Sequence, residues 1–545
     1  MSKRVNKAEE FKKAKDGFDV LQDILRYSEA GDYDAIPEDD AAQRFKWFGI
    51  YQQKPNTGHF MLRIKIPGGQ VTPAQLKTIS EITNQYARGF GDITTRQTIQ
   101  LHWLTTADLK PVLQTLWDAG MTSQFACGDA PRNVVGCPLA GVLEDEIIDS
   151  SQHAQDISQY FVDSGREFSN LPRKFKPSIG GCNLHCHQPQ INCYGLYGVK
   201  RPSGETGYGL VVGGGLSSTP HYAQPLRVFI KPQQVIDVSR AIATVFRDHG
   251  YREKRTRARL KFLVADKGWE WTRDKIEEVL GYQLEHDDTL LNPPAIHSDH
   301  LGIGKQKDGN YYVGVPIGRG RWTARNMADI ANLAEKYATG EKRVRTTGKQ
   351  NVILLDIPEA HLGALEKDLT DRGLPPVAHS LRTSLISCTG SEFCNLAVVE
   401  TKARAGRVLQ WLEQNVDIDF PLFISFTGCP NACAQYQIAD IGLTGIPVVL
   451  RDQLDENGKP TKIDGFKVLL GAGLGLDPKF NELIAKKIPG DLIHLSIRNL
   501  IETFKAERVD EDETFQSWVT RSDPEYLQKL ITEPTEAQEA QMLQA

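Results

Sequence analysis

The sequence predicts an α+β protein made of two duplicated α/β halves related by a pseudo-twofold axis, and three pairs of segments predict it. From Asp92 the chain reads "DITTRQTIQLHWLTTADLKPVLQTLWDAGM" and from Arg345 "RTTGKQNVILLDIPEAHLGALEKDLTDRGL". Arg96-Gln97 aligns with Lys349-Gln350, each is followed by an apolar strand-like run, and a helical run then ends at Gly120 or Gly373. "GGCNLHCHQPQINCYGLYG" from Gly180 matches "TGCPNACAQYQIADIGLTG" from Thr427, and "GLVVGGGLSSTP" from Gly209 matches "KVLLGAGLGLDP" from Lys467. The matches keep their order. Their period is domain-sized, too long for a solenoid, so two related units enclosing a central cleft are expected.

In chain order, residues 1–50 read as a polar helical arm, with "FKKAKDGFDVLQDILRY" at amphipathic spacing. The first repeat spans 51–290. It ends after the densest basic run, "YREKRTRARLKFLV" from Tyr251, at the turn-rich "LLNPPAIHSDH". The second repeat spans 291–510, and 511–545 form a helical tail.

With 64 Lys plus Arg against 69 Asp plus Glu, the chain is too close to neutral for a general nucleic-acid binder or a membrane-surface protein. No run of eighteen apolar residues occurs, and the opening "MSKRVNKAEEFKKAKDGFDV" mixes Lys and Glu where a secretory signal needs an apolar stretch, so a cytoplasmic protein is expected. Nine cysteines, an odd number packed at short spacings, suit metal ligands in a reducing compartment better than disulfides.

Four of those thiols fall in two pairs: Cys388 and Cys394 in "SCTGSEFCNLAVVETKARA", then Cys429 and Cys433. Four thiolates suit an iron–sulfur cluster or a structural zinc. Zinc sites usually leave two to four residues between paired ligands, and five separate Cys388 from Cys394, which favours the cluster. Cys182, Cys186 and Cys193, with His185 and His187, occupy the duplicated position, but Cys137 stands alone as their partner; one cluster per chain is therefore expected.

The Cys-x5-Cys and "TGCPNxC" pairs, together with "TTRQ", "LPRKFK" and the duplication, resemble the siroheme- and [4Fe–4S]-containing, ferredoxin-dependent sulfite and nitrite reductases across nearly the whole chain. The resemblance implies that Cys388, Cys394, Cys429 and Cys433 hold the cluster and that Cys433 also supplies the axial sulfur to the siroheme iron. It places Thr94, Thr95, Arg96, Gln97 and Gln100, with Arg257, Arg259 and Lys261, near the eight carboxylates of the siroheme. Gly213, Gly214 and Gly215 suit close approach of backbone to a ligand. Arg63, Arg132, Lys174 and Lys176 match the substrate-side positions: Arg suits oxyanion recognition, and Lys binds and donates protons. Lys174 and Lys176 alternate about Phe175, so an extended segment points both to one side.

No strand-linked GxGxxG is present for a flavin or nicotinamide, so electrons are expected from a separate ferredoxin. Basic residues from Lys402 to Arg407 and from Arg343 to Lys349 are candidate docking positions. The resemblance also sets Tyr51 and Cys127 where some sulfite-reducing relatives carry a Tyr–Cys thioether.

Lys176 matches the sulfite-reducing branch and Gln435 the nitrite-reducing one. The expected activity is the assimilatory six-electron reduction of sulfite to sulfide, with nitrite to ammonia as the alternative, in a monomer without nucleic-acid or membrane partners. A cluster-bearing electron carrier without siroheme and a zinc-stabilised interaction protein are the non-enzymatic alternatives.

Overall fold

The computed structural model describes residues 6–53, 56–293, 300–454, 456–474 and 478–544. The expected boundary near 290 runs into residues 294–299, which lie outside the described residues. The chain forms two compact units: one of residues 1–215, 221–315 and 322–376, the other of 216–220, 316–321 and 377–545. The division does not follow the sequence repeats, because the N-terminal parts of both halves share the larger unit.

Within that unit, two five-stranded sheets have matching orders. One runs Ile50–Gln52, Phe60–Ile64, Ile99–Leu104, Phe90–Ile93, Arg321–Thr323; the other runs Gly302–Lys305, Tyr311–Val315, Val352–Ile357, Val344–Thr346, Gln70–Val71. Each repeat lends its third strand, a short one, to the other repeat's sheet. The helices that follow these lent strands, Pro73–Tyr86 and Ala324–Tyr337, open alike, with capping boxes of Thr72 with Gln75 and Thr323 with Asn326.

The exchange explains the Gln97 and Gln350 pair. Gln97 donates to the Thr346 carbonyl at 3.0 Å and accepts from the Gly136 N–H at 2.8 Å, while Gln350 donates to the Ile93 carbonyl at 2.9 Å. Both sit in tight turns at positive φ, 61° and 69°. Gln97, expected beside the siroheme, instead joins the two repeats: its buried amide is engaged by backbone groups that have no water to turn to.

The third sheet of the larger unit runs Glu285–His286, Gln224–Ile230, Thr206–Val212, Tyr194–Lys200, Pro177–Gly180, Val135–Gly136. Its apolar face packs on the helices Ser151–Asp163 and Val235–His249 around Phe175, Tyr194 and Phe246. The N-terminal arm is fastened to this body: Lys12 donates to the Leu171 carbonyl at 3.0 Å and the Trp47 indole to the Ser169 carbonyl at 2.6 Å.

The smaller unit repeats that topology. Its sheet runs Leu385–Ser387, Ile424–Thr427, Ile441–Leu454, Pro460–Leu470, Glu482–Pro489, the first two pairings parallel and the rest antiparallel. The pairings from Val135–Gly136 to Gln224–Ile230 have the same senses. The C-terminal tail belongs to this unit's core, where Trp518, Leu527 and Ile531 are buried.

Candidate active site and metal centre

The thiol loops of the smaller unit follow from strand direction. Leu385–Ser387 and Ile424–Thr427 run parallel, so the segments carrying Cys388 and Cys429 leave the same end of the sheet, where α/β proteins commonly bind ligands. Parallel pairing continues to the backbone N–H of Cys388, which donates to the Phe426 carbonyl at 3.0 Å. The Gly428 N–H donates to the Cys388 sulfur at 3.2 Å. Cys394 is held in its loop by a bond from its N–H to the Gly390 carbonyl at 3.0 Å. Burial first, then Cys433, pushes the Cys388 thiol up to about 12; burial, Cys433 and Cys394 raise that of Cys429. Cys433 therefore lies within electrostatic range of Cys388 and Cys429, and Cys394 within range of Cys429. An all-sulfur donor set, from buried Cys429 to exposed Cys433, with an N–H group directed at sulfur fits a cationic iron–sulfur core, which would offset the cost of the thiolates.

In the larger unit, several of the expected cations lie near one another. Arg63 lies opposite Gln100 across the pairing of Phe60–Ile64 with Ile99–Leu104. Its guanidinium reaches the Cys127 sulfur at 3.1 Å and stands 5.9 Å from the Tyr51 ring centre. Thr94 and Thr98 close the adjoining turn through a 2.7 Å hydroxyl contact, and the Thr94 hydroxyl accepts from the Arg96 N–H at 3.2 Å. The half-buried Thr95 lies in the same turn. Arg96 donates to Asn192 at 2.7 Å and to the carbonyls of Asn133 and Pro177 at 2.6 and 3.1 Å. Arg132 donates to the Gly128 and Ala126 carbonyls.

Burial, with Arg132, Arg259 and Arg63 nearby, brings Arg96 down to about 9. Burial and Arg259 bring Lys261 down to about 7. Half-buried Arg63 and Arg96 and buried Arg132, Arg259 and Lys261 thus form one mutually repelling group. A polycarboxylate suits such a group, because it supplies the missing opposite charge.

Lys174 and Lys176 are half-buried on either side of the fully buried Phe175, as the alternation required. The segment is set by the Arg132 N–H on the Phe175 carbonyl at 2.8 Å and the Cys193 N–H on the Lys176 carbonyl at 2.9 Å.

Other positions differ from expectation. Arg257 is exposed and donates to both oxygens of Asp266, at 3.0 and 2.8 Å, so it does not join the group. The glycine run accommodates the chain itself: a Cβ on Gly215 would stand 2.4 Å from the Arg259 guanidinium and one on Gly214 2.2 Å from the Gln190 carbonyl oxygen. In the basic stretches, Lys402, Arg404 and Arg345 are buried and Arg343 binds Asp356 at 2.5 Å, leaving Arg407 as an exposed charge of the first stretch. Helical spacing turned the first two inward. Cys137 does not stand alone: its sulfur is 3.9 Å from that of Cys182.

Two residues near the site were missed. Lys65 is buried and driven down to about 7 by burial alone; its place two residues after Arg63 was the available signal. Asp129 anchors the loop between Cys127 and Arg132, and nothing in its local sequence marks it. Burial alone would raise it, but Arg255, Arg173 and Lys12 hold it at about 2, with contacts of 2.9, 3.3 and 3.5 Å.

Asp129→Asn is expected to cost about 1.5–3 kcal/mol near neutral pH, because it takes the carboxylate from buried Lys12 and half-buried Arg173 and Arg255. The carboxylate's folded value lies below its unfolded one, so its contribution is complete above about pH 4 and lost as pH falls toward about 2. Urea denaturation of both proteins across that range checks this; a gap that does not narrow on acidification counts against it.

Tyr51 and Cys127 are neighbours, and burial followed by the thiol raises the phenol to about 12. Among the described residues no helix is long and apolar enough to cross a membrane.

The family model of the nitrite and sulphite reductase 4Fe-4S domain matches residues 127–284 and 379–539, and that of the nitrite/sulfite reductase ferredoxin-like half domain matches 51–118 and 304–372. The assimilatory ferredoxin-dependent nitrite reductase of Haloferax mediterranei is 37% identical, over 95% of this chain and 92% of its own. The sulfite reductase [ferredoxin] of Mycobacterium tuberculosis is 34% identical, over 96% of each chain. The solved structure of the Mycobacterium tuberculosis NirA protein matches with a TM-score of 0.89 and 34% identity, over 96% of this chain and 97% of that one. The chain belongs to the nitrite and sulfite reductase family, whose cofactors are siroheme and a [4Fe–4S] cluster.

Proposed function

We propose that the protein is a ferredoxin-dependent assimilatory sulfite reductase, with nitrite as a secondary substrate. The observation that carries the substrate choice is Lys176. It adds a half-buried ammonium to Lys174, Arg63 and Arg132, and a doubly charged sulfite gains more from a further cation than a singly charged nitrite. Gln435, nearly buried in a turn at positive φ, is the feature that favours nitrite instead.

Cys388, Cys394, Cys429 and Cys433 would hold the cluster, with Cys433 offering its sulfur to the siroheme iron. Arg96, Arg259 and Lys261, with Thr94, Thr95 and Gln100, would hold siroheme carboxylates. When bound, the two groups supply adjoining one-electron storage for a six-electron reduction fed singly by a ferredoxin. Arg63 and Arg132 bind and orient the oxyanion. Lys174 and Lys176 neutralise it and deliver protons from their ammonium groups as its oxygens leave.

The residue ranges 51–290 and 291–510 serve as the two repeats, between the arm 1–50 and the tail 511–545, in a cytoplasmic monomer. Tyr51 and Cys127 are close enough for the thioether of the sulfite-reducing relatives. Peptide mass mapping that recovers them on separate, unmodified peptides would exclude it.

The test is the purified holoprotein's absorption spectrum together with turnover on each anion using reduced ferredoxin. Siroheme absorption and a higher kcat/KM for sulfite are expected. A colourless zinc protein, or cluster colour without siroheme, would remove the reductase assignment; a higher kcat/KM for nitrite would remove the substrate choice alone.

A further inference from the structure

The first repeat carries a cluster of metal-ligating side chains that the reductase chemistry does not use. Among the described residues, a single group of three or more His, Cys, Asp or Glu side chains brings its ligand atoms within 4.8 Å of one another: Cys137, Cys186 and His300. Cys182 lies beside it, its sulfur 3.9 Å from that of Cys137 but more than 4.8 Å from the ligand atom of Cys186 or His300, so it completes the set by a side-chain shift. The His300 Nε2 is 3.8 Å from the Cys137 sulfur. We propose that Cys137, Cys182, Cys186 and His300 form a structural zinc site.

The spacing of the atoms decides the kind of ligand. Zinc–sulfur bonds of about 2.3 Å and zinc–nitrogen bonds of about 2.05 Å at tetrahedral angles put sulfurs about 3.8 Å apart and sulfur about 3.6 Å from nitrogen. The observed 3.9 Å from Cys137 to Cys182 and 3.8 Å from Cys137 to His300 match these spacings, and Cys137, Cys186 and His300 all lie within 4.8 Å of one another. A cubane interposes several irons between its thiolates and needs them wider apart; among the described residues, no three thiols of the smaller unit come within 4.8 Å of one another. A disulfide needs its sulfurs at about 2.05 Å. Cys182 and Cys186 leave three residues between them, inside the range zinc pairs use.

The fold explains how the site arose. Cys137 follows the strand Val135–Gly136 as Cys388 follows Leu385–Ser387, and Cys182 and Cys186 follow Pro177–Gly180 as Cys429 and Cys433 follow Ile424–Thr427. Both strand pairs are parallel. The position corresponding to Cys394, six residues after Cys137, is Leu143. Without the fourth cysteine this repeat cannot ligate a cubane as its partner does. The remaining thiols instead meet His300, supplied from 163 residues beyond Cys137. The surrounding wall is apolar, built from Leu139, Val142, Ile353 and Leu355, which excludes competing water and suits a closed structural site rather than a catalytic one.

Zinc and iron are to be counted in the full-length holoprotein, and zinc-edge X-ray absorption measured. About one zinc per chain is expected beside about five iron, four in the cubane and one in the siroheme, with a shell of about three sulfurs and one nitrogen. His300→Ala should lower zinc several-fold while iron stays unchanged, and His300→Cys should restore zinc in an all-sulfur shell. Should His300→Ala fail to fold, the wild-type stoichiometry and shell still decide. Zinc below roughly a tenth per chain in the wild type, iron near nine from a second cluster, a Cys137–Cys182 disulfide, or stoichiometric zinc in His300→Ala would each overturn the assignment. None of these readouts depends on which oxyanion is reduced.

Discussion

Cys433→Ser is expected to abolish reduction of both sulfite and nitrite, with turnover below roughly a hundredth of wild type, on the scale by which removal of a metal ligand or its support cuts activity. The side chain is exposed, whereas Cys429 is buried and Cys388 and Cys394 are half-buried. Removing it disturbs little packing, so the folded chain should survive. That separates loss of function from loss of fold: thermal unfolding should change little while iron falls well below the roughly five atoms of the holoprotein and the siroheme absorption weakens. Serine keeps the shape but offers a hard, weakly acidic oxygen where a soft thiolate is required. A variant with full iron and unchanged turnover would remove Cys433 from the metal centre. Cys394→Ser should show the same iron loss, since both thiols act on Cys429.

Lys176→Asn should lower kcat/KM for sulfite roughly 10- to 100-fold, the range of one charge-assisted hydrogen bond of about 1.5–3 kcal/mol. Nitrite should lose less, because the attraction scales with the product of the charges. The sulfite-to-nitrite ratio is therefore the informative quantity, measured by steady-state kinetics of both proteins on both anions. The neighbouring Phe175 carries the packing of this segment, and its backbone bonds do not involve the Lys176 side chain, so stability should be nearly unchanged. An unaltered ratio would show that Lys176 does not discriminate between the anions. A selective loss for nitrite would shift the choice of substrate toward the branch that Gln435 resembles.

Much of the molecule was legible in order and spacing. The duplication appeared as matched segments, and it returns as paired sheets of equal topology and as two glutamines reaching across in opposite directions. The alternation about Phe175 predicted a common environment for the two lysines, and both are half-buried about a buried Phe175, because extended-chain geometry is local. The pairing of Cys388 with Cys394 and of Cys429 with Cys433 was legible because each pair sits within one loop. Gln97 was misplaced because a polar side chain in a turn looks the same from the sequence whether it meets a ligand or a carbonyl from 249 residues away. Arg257 was misplaced because its Asp266 partner depends on how the segment folds back.

The amino-acid order by itself determined the repeat, the identity of the sulfur donors and the cationic residue types, all of which are carried by neighbours along the chain. The tertiary structure decided which of those groups meet. It exchanged short strands between repeats, turned Lys402 and Arg404 inward, and gathered Arg63, Arg96, Arg132 and Arg259 from distant segments. It also set His300 against Cys137. Spacing within a loop is limited by chain geometry, but contacts across 45 or 163 residues are set by strand pairing and burial, which act on the whole folded chain at once.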